Sequence, residues 1–221
     1  MDYKFDFSAI AENIGPLLSG VAITLVLTAI ASTAGIALSI GGAATSRYGA
    51  AWANKLVKLY VELIRNTPFI VQLFFIFFGL PSIGIKMSAI AAATLAMTIN
   101  LTAYSIEIMR AGIEAVPPGQ REAGFALGLS PVTVFVNIIL PQAIANVYPA
   151  LVSQVVITML ESAVVSQISV TDLTHAADLI QSRTYRAFET YFAITVIYLV
   201  LAIALRMLLN RAARGLFAGR R

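Results

Sequence analysis

The sequence predicts an all-α polytopic membrane protein with five transmembrane helices in a single domain, 1–221, and one short exposed helical segment between the third and fourth spans. Three observations carry that prediction. The residues are 59% hydrophobic and only 12% charged, with a mean hydropathy of +0.85, too apolar for a soluble domain. Five apolar stretches reach the ~20 residues that cross a ~30 Å hydrocarbon core, and what remains leaves no room for a separate soluble domain. The basic residues mostly flank those stretches, so the net charge of +4 reads as a membrane-orientation signal and not as a nucleic-acid footprint. The chain has no cysteine, which excludes disulfides and thiolate metal sites. It also has no Walker-type phosphate loop, so any nucleotide chemistry belongs to a partner.

The opening MDYKFDFSAIAEN is polar and aromatic and has no basic region leading into a short apolar core; it does not read as a cleaved signal peptide. The first span covers about 17–44. Its Gly, Ala, Ser and Thr allow close helix approach in lipid, which predicts a helix packed inside an assembly. Trp52 follows among Arg47, Lys55 and Lys58 and suits an interface. The second span, about 56–80, places Glu62 and Arg65 close enough to pair on one helix face, and Pro68 breaks or bends it. Phe74, Phe75, Phe77 and Phe78 cover both of its faces as lipid or packing surface.

The third span, about 87–109, sets Asn100, Thr102 and Tyr104 among apolar neighbours. Asn100 reads either as a helix-to-helix hydrogen bond or as a group lining a path. Glu107 and Arg110 form a second i, i+3 pair, and Glu114 to Gly119, with Pro117 and Pro118, end the helix. The segment 120–128 then forms about two helical turns stopped by Gly128, where a left-handed residue is needed. Ser130 is a good N-cap and Pro131 fits the first helical position of the next span. A joint this rigid can pass a push from outside the bilayer into it.

The fourth span, about 131–165, is too long for one straight crossing and contains Pro141 and Pro149, each of which removes a backbone donor and kinks the helix. Freed backbone groups are tolerated only where protein or a watery cavity satisfies them, so Gln154, Thr158, Glu161 and Ser162 are expected to face the interior. The polar stretch 166–189, with Asp172, His175, Asp178, Arg183, Arg186 and Glu189, reads as outer face with a short helix inside it and a solvated His175. The fifth span, about 191–209, ends in Arg206, Arg211, Arg214, Arg220 and Arg221, a cytoplasmic anchor. No internal repeat or low-complexity linker is visible.

With the N-terminus outside and the C-terminus cytoplasmic, the inner side holds Arg47, Lys55, Lys58, Arg65, Arg110, Arg121 and the five C-terminal arginines, eleven of the 15 basic residues. Lys4, Lys86, Arg183 and Arg186 remain outside. The positive-inside rule selects that orientation and puts 120–128 in the cytoplasm.

Glu122-Ala123-Gly124, Gly128, Ile138, Leu140 and Pro141 resemble the cytoplasmic coupling loop of ABC-importer permease subunits: Glu-Ala-Ala, three residues, Gly, nine residues, then Ile-x-Leu-Pro. Gly124 in place of the second Ala is the one departure, and it lowers helix propensity by about 1 kcal/mol. Arg65-Asn66-Thr67-Pro68 is similar to the Arg-Gly-Thr-Pro of the polar amino-acid branch, and VTDLTHAADLIQSRTYRAFETY resembles the segment leading into that branch's last span. The resemblance covers most of the chain from Val57 onward.

It implies a type I importer fold in the inner (plasma) membrane, with Glu122, Ala123, Gly124 and Gly128 coupling the chain to an ATPase. The implied partners are a cytoplasmic ABC ATPase dimer that uses ATP and Mg, a second permease chain, identical or different, and an extracytoplasmic binding protein that delivers a polar amino acid or a derivative such as an opine. No catalytic residue and no cofactor are expected on this chain. The family's Leu-Lys-Asp-Ser/Thr stands here as Met159-Leu160-Glu161-Ser162, keeping the acid and losing the Lys.

A charge near the bilayer centre costs about 2.5–3.5 kcal/mol on insertion scales. Glu161 therefore reads as a path residue that binds a substrate amino group, with Ser162, Gln154 and Asn100 as neighbours, or as a structural acid paired inside the bundle. Two other function classes stand beside the importer. An ion-coupled secondary transporter or channel without an ATPase would favour internal repeats and charges lining both halves. A membrane scaffold would use the exposed segment for docking and have no conduit.

Overall fold

The computed structural model describes residues 5–217 and is built of helices alone among them. In chain order these are α1 (Ser8–Glu12), α2 (Ile14–Tyr48), α3 (Ala51–Arg65), α4 (Phe69–Ser82), α5 (Ala89–Glu114), α6 (Pro118–Ala126), α7 (Pro131–Ile168), α8 (Leu173–Thr184) and α9 (Ala187–Phe217). Lys4, Arg220 and Arg221, which entered the orientation count, lie outside the described residues.

Among the described residues, four helices are long and apolar enough to cross a membrane, α2, α5, α7 and α9, and the bent pair α3–α4 would make a fifth span. Each contains one of the spans expected at 17–44, 87–109, 131–165 and 191–209, or all but its ends. The second expected span, 56–80, is not one straight rod. The chain turns by 108° between α3 and α4, so the two halves cannot both run along the membrane normal. Pro68 sits in the break with extended backbone (φ −63°, ψ 139°), its φ at the value that the ring fixes.

Two wide turns of π type, Phe75–Gly79 and Phe135–Ile139, precede Pro81 and Pro141. A wide turn absorbs the carbonyl that a proline ring would otherwise strike, so α4 and α7 run on past their prolines.

α5 is the central helix. More than half of its most apolar window is buried, with α2, α3 and α7 packed around it. Small residues let α2 approach: a Cβ on Gly20 would stand 2.8 Å from the Asp172 carbonyl oxygen and the Leu173 Cα, so only glycine lets α2 touch the start of α8. Three apolar clusters stack along the bundle. Leu17, Leu173, Ala177 and Ile194 fill the end that carries the N-terminus. Leu27, Leu73, Met97 and Val165 fill the middle, and Ala43, Met109, Val134 and Ile139 fill the opposite end, beside α6.

The polar stretch 166–189 does contain a helix, α8, yet it is no solvated loop. Asp172 is fully buried and caps α8, accepting the His175 N–H at 2.9 Å and the Tyr198 hydroxyl at 3.3 Å; burial pushes its carboxyl up to about 6. Glu189 is fully buried as well and accepts the Asp6 N–H at 3.1 Å and Arg186 at 3.4 Å. His175, expected in solvent, is half-buried over this cap.

The Glu62 to Arg65 pair does not form among the described residues. Arg65 instead reaches across to α5, 3.9 Å from the Glu107 carboxylate and over the Tyr104 ring at 5.4 Å. The Glu107 to Arg110 pair does form, at 2.8 Å, and Arg110 also holds Glu114 at 2.9 Å.

Candidate functional site

The segment 120–128 folds as its residue types dictate. Pro118 opens α6 in its first turn, where a missing N–H leaves nothing unsatisfied. Gly128 ends it with φ +75°, its N–H bonded to the Phe125 carbonyl at 2.9 Å, while the Leu129 N–H returns to the Gly124 carbonyl at 3.2 Å. Two such bonds satisfy carbonyls that a helix end leaves open. Ser130 then caps α7, accepting the Thr133 N–H at 3.2 Å. Only Leu127 to Ser130 separate the two helices, so α6 cannot swing freely on α7.

Gly124 supplies a second constraint. It is the only residue of α6 that is buried, and a Cβ there would stand 2.8 Å from Val134 Cγ2 and 3.0 Å from Ile138 Cδ1. The departure that seemed to cost helix propensity is thus a close contact between α6 and α7. Gly128 has open space around its Cβ position; its constraint is the backbone angle alone. Glu122 and Ala123 are exposed, and Glu122 makes no ion pair among the described residues. Arg121 lies over the rings of Tyr48 and Phe125 at 5.6 and 5.5 Å, tying α6 to the end of α2.

Sequence reasoning missed the apolar part of this surface. Leu127 is 78% exposed, Val132 72% and Phe125 41%, beside an apolar cavity of about 370 Å³ that Tyr48, Phe125, Pro131, Val132 and Phe135 line. Exposed apolar groups clustered in this way suit a contact with a protein or a membrane. Its signal was present in the sequence as large apolar residues at a helix stop, where a loop would carry polar ones.

The expected path residues stand on two helices, α5 and α7. Gln154, Thr158 and Glu161 share one face of α7 by their i, i+4, i+7 spacing, and Ser162 follows. Gln154 is buried and makes no hydrogen bond among the described residues. The Thr158 hydroxyl is buried and lacks a partner there too. Glu161 is half-buried, without an ion pair or hydrogen-bond partner among the described residues. Ser162 is fully buried and donates to the Met159 carbonyl at 2.7 Å.

Asn100 is buried on α5. Its amide donates to Gln72 Oε1 at 3.1 Å, leaving Asn100 Oδ1 buried without a partner. Leaving such groups unpaired costs about 1–3 kcal/mol each. No cluster of metal-ligating side chains occurs among the described residues.

A family model described as binding-protein-dependent transport system inner membrane component matches residues 33–217. The glutamine transport system permease protein GlnP of Escherichia coli (strain K12) is 32% identical over 213 residues, 96% of this chain and 97% of that protein. The arginine transport system permease protein ArtQ of Bacillus subtilis (strain 168) is 34% identical over 218 residues, 96% and 98% of the two chains. A crystal structure of an amino acid ABC transporter with histidines matches with a TM-score of 0.86 at 39% identity, covering 96% of this chain and 99% of that one. An inward-facing form of the MetNI methionine ABC transporter, 20% identical with a TM-score of 0.74, shares the fold.

Proposed function

This chain belongs to the family of binding-protein-dependent transport system inner membrane components, and we propose on that premise that it conducts a polar amino acid or amino-acid derivative inward, driven by ATP hydrolysed in a separate cytoplasmic subunit. The carrying observation is the surface around α6, where Phe125, Leu127 and Val132 stand exposed at the joint by which Gly124 and Gly128 lock α6 to α7. A push on α6 moves α7 with it, and α7 bears the unpartnered Gln154, Thr158 and Glu161. The ATPase meets α6 through those apolar groups, with Glu122 at the rim. Two permease chains, two ATPase chains and an external binding protein complete the assembly, and the ATP and Mg sit in the ATPases.

The substrate reading follows from chemistry and from the relatives, whose names specify glutamine and arginine transport. Every amino acid carries an ammonium group, and Glu161 is an acid on an inward face with no cation assigned to it. Its carboxylate receives that ammonium, with Gln154 and Ser162 beside it. Asn100, buried on α5 with its Oδ1 free of a partner among the described residues, is a further hydrogen-bonding neighbour of the path.

The test is native mass spectrometry of the tagged chain released in mild detergent. The expected mass is that of two permease and two ATPase subunits, and Gly128→Val should release the ATPase or abolish uptake while ATP hydrolysis continues. A chain that purifies without an ATPase and still supports uptake would overturn the proposal.

A further inference from the structure

At the end of the bundle beside α6, the inner ends of α2 and α5 and the last two turns of α3 enclose a cavity of about 680 Å³. Its acids are mostly spoken for: Arg110 holds Glu107 and Glu114 at 2.8 and 2.9 Å. Its other cations are not. Arg47 and Lys58 line the cavity and make no ion pair among the described residues, and Arg65 is only 3.9 Å from Glu107, a carboxylate already engaged. Glu62 is the one lining acid outside the Arg110 pairs, so four cations face three carboxylates.

The helix that forms one wall has a second, different face. Trp52, Leu56, Leu59 and Leu63 follow an i, i+4, i+7, i+11 spacing and are 53–70% exposed, whereas Lys58, Glu62 and Arg65 form the stripe that lines the cavity. An amphipathic helix with an aromatic and aliphatic face and a basic face lies in the membrane interface. The 108° turn between α3 and α4 is what such a placement needs, because α4 can then descend into the bilayer while α3 stays at its surface.

We infer that this cavity binds the phosphate of an anionic phospholipid, seated on Arg47, Lys58 and Arg65, with the acyl chains along the apolar face of α3. Basic pockets at the cytoplasmic ends of membrane helices suit such headgroups. The ligand bridges α2, α3 and α5 where no direct ion pair joins Arg47 or Lys58 to a neighbour. The inference rests on the inside placement of these helix ends, which the positive-inside count supports, and its readout is independent of transport.

The intact complex is exchanged into nanodiscs of phosphatidylethanolamine with or without phosphatidylglycerol, released, and weighed by native mass spectrometry. Phosphatidylglycerol should remain bound to the wild type at a defined stoichiometry, and its retention should fall at least fivefold when salt is raised from 50 to 500 mM (roughly, for two to three phosphate contacts screened by salt). The variant Arg47→Gln/Lys58→Gln should lose it, and the charge-keeping Arg47→Lys/Lys58→Arg should keep it. Equal retention of neutral and anionic lipid overturns the inference, as does retention by the charge-free variant. Displacement of the lipid by millimolar inorganic phosphate also overturns it, since the site would then take free phosphate and need no lipid chain. If the complex loses its ATPase but still holds the lipid, the importer reading fails and this one stands.

Discussion

Gly124 and Gly128 are both glycines of one short helix end, yet different physics fixes each. Gly128 was legible, because a helix stop before Ser130-Pro131 calls for a left-handed residue, and its φ is +75°. Gly124 was legible only as a departure from a pattern, because its reason lies ten and fourteen residues away, in Val134 and Ile138. Gly124→Ala gains about 1 kcal/mol of helix propensity but overpacks the contact with α7, at a cost of about 1–3 kcal/mol. The net result should be a lower melting temperature for the complex and weaker ATPase retention. Adding Val134→Ala to that variant should recover part of the loss, since it removes the methyl that stands 2.8 Å from the new Cβ; strictly additive losses would show that the two positions do not touch. Glu161→Gln keeps the shape of the side chain and removes its charge. Uptake should fall, or its selectivity among cationic, neutral and acidic amino acids should change, with assembly and binding-protein affinity unaltered. An unchanged uptake profile in a well-assembled complex would remove Glu161 from the substrate site.

At the scale of elements, the bent α3–α4 pair separates what local sequence encodes from what pairing decides. Pro68 announces the break, but its angle and what holds it depend on Gln72, which carried no signal among its apolar neighbours. The Gln72 amide nitrogen lies 2.8 Å from the Ile64 carbonyl, 3.0 Å from the Thr67 carbonyl and 2.9 Å from the Thr67 hydroxyl, with two protons to share among them. Its oxygen accepts from Asn100, 28 residues on. One buried side chain therefore satisfies the end of α3 and ties the break to α5. Gln72→Leu leaves the Thr67 carbonyl and the Asn100 amide without these partners, at about 1–3 kcal/mol for each group that water cannot reach. The double variant Gln72→Leu/Asn100→Leu should cost less than the sum of the two single changes, because it removes both halves of the polar pair. Thermal unfolding of the four forms in one detergent measures the coupling, and additive losses would mean that the bend is held by packing alone. α7 was read better at one of its two prolines: a wide turn stands just ahead of Pro141, whereas the helix runs unbroken through Pro149.

For the whole molecule, apolar length and small-residue content were enough to place α2, α5, α7 and α9, because a membrane span must close its backbone hydrogen bonds within itself. Buried acids at the N-terminal end were not readable, since Asp172 and Glu189 become interior only when α8 folds back over α2 and α9. Only 6% of the most apolar window of α9 is buried, against 56% for α5, so α9 is the helix most open to lipid or a second subunit. Its basic residues then matter more for orientation than for packing. Arg206, Arg211 and Arg214 load one end of α9, while Arg47 stands in the last turn of α2 and Lys55 and Lys58 follow it on α3. Helices α2 and α9 enter from the same side if the N-terminus is outside, and each then ends in a basic cluster on the inner side. A single cysteine in place of exposed Ser8 or exposed Ala212 separates this orientation from its inverse. On intact cells, an impermeant maleimide should label the Ser8→Cys form and leave the Ala212→Cys form unlabelled until the membrane is opened. Labelling of Ala212→Cys alone would invert the molecule, move α6 to the outside, and remove the ATPase contact at the same stroke.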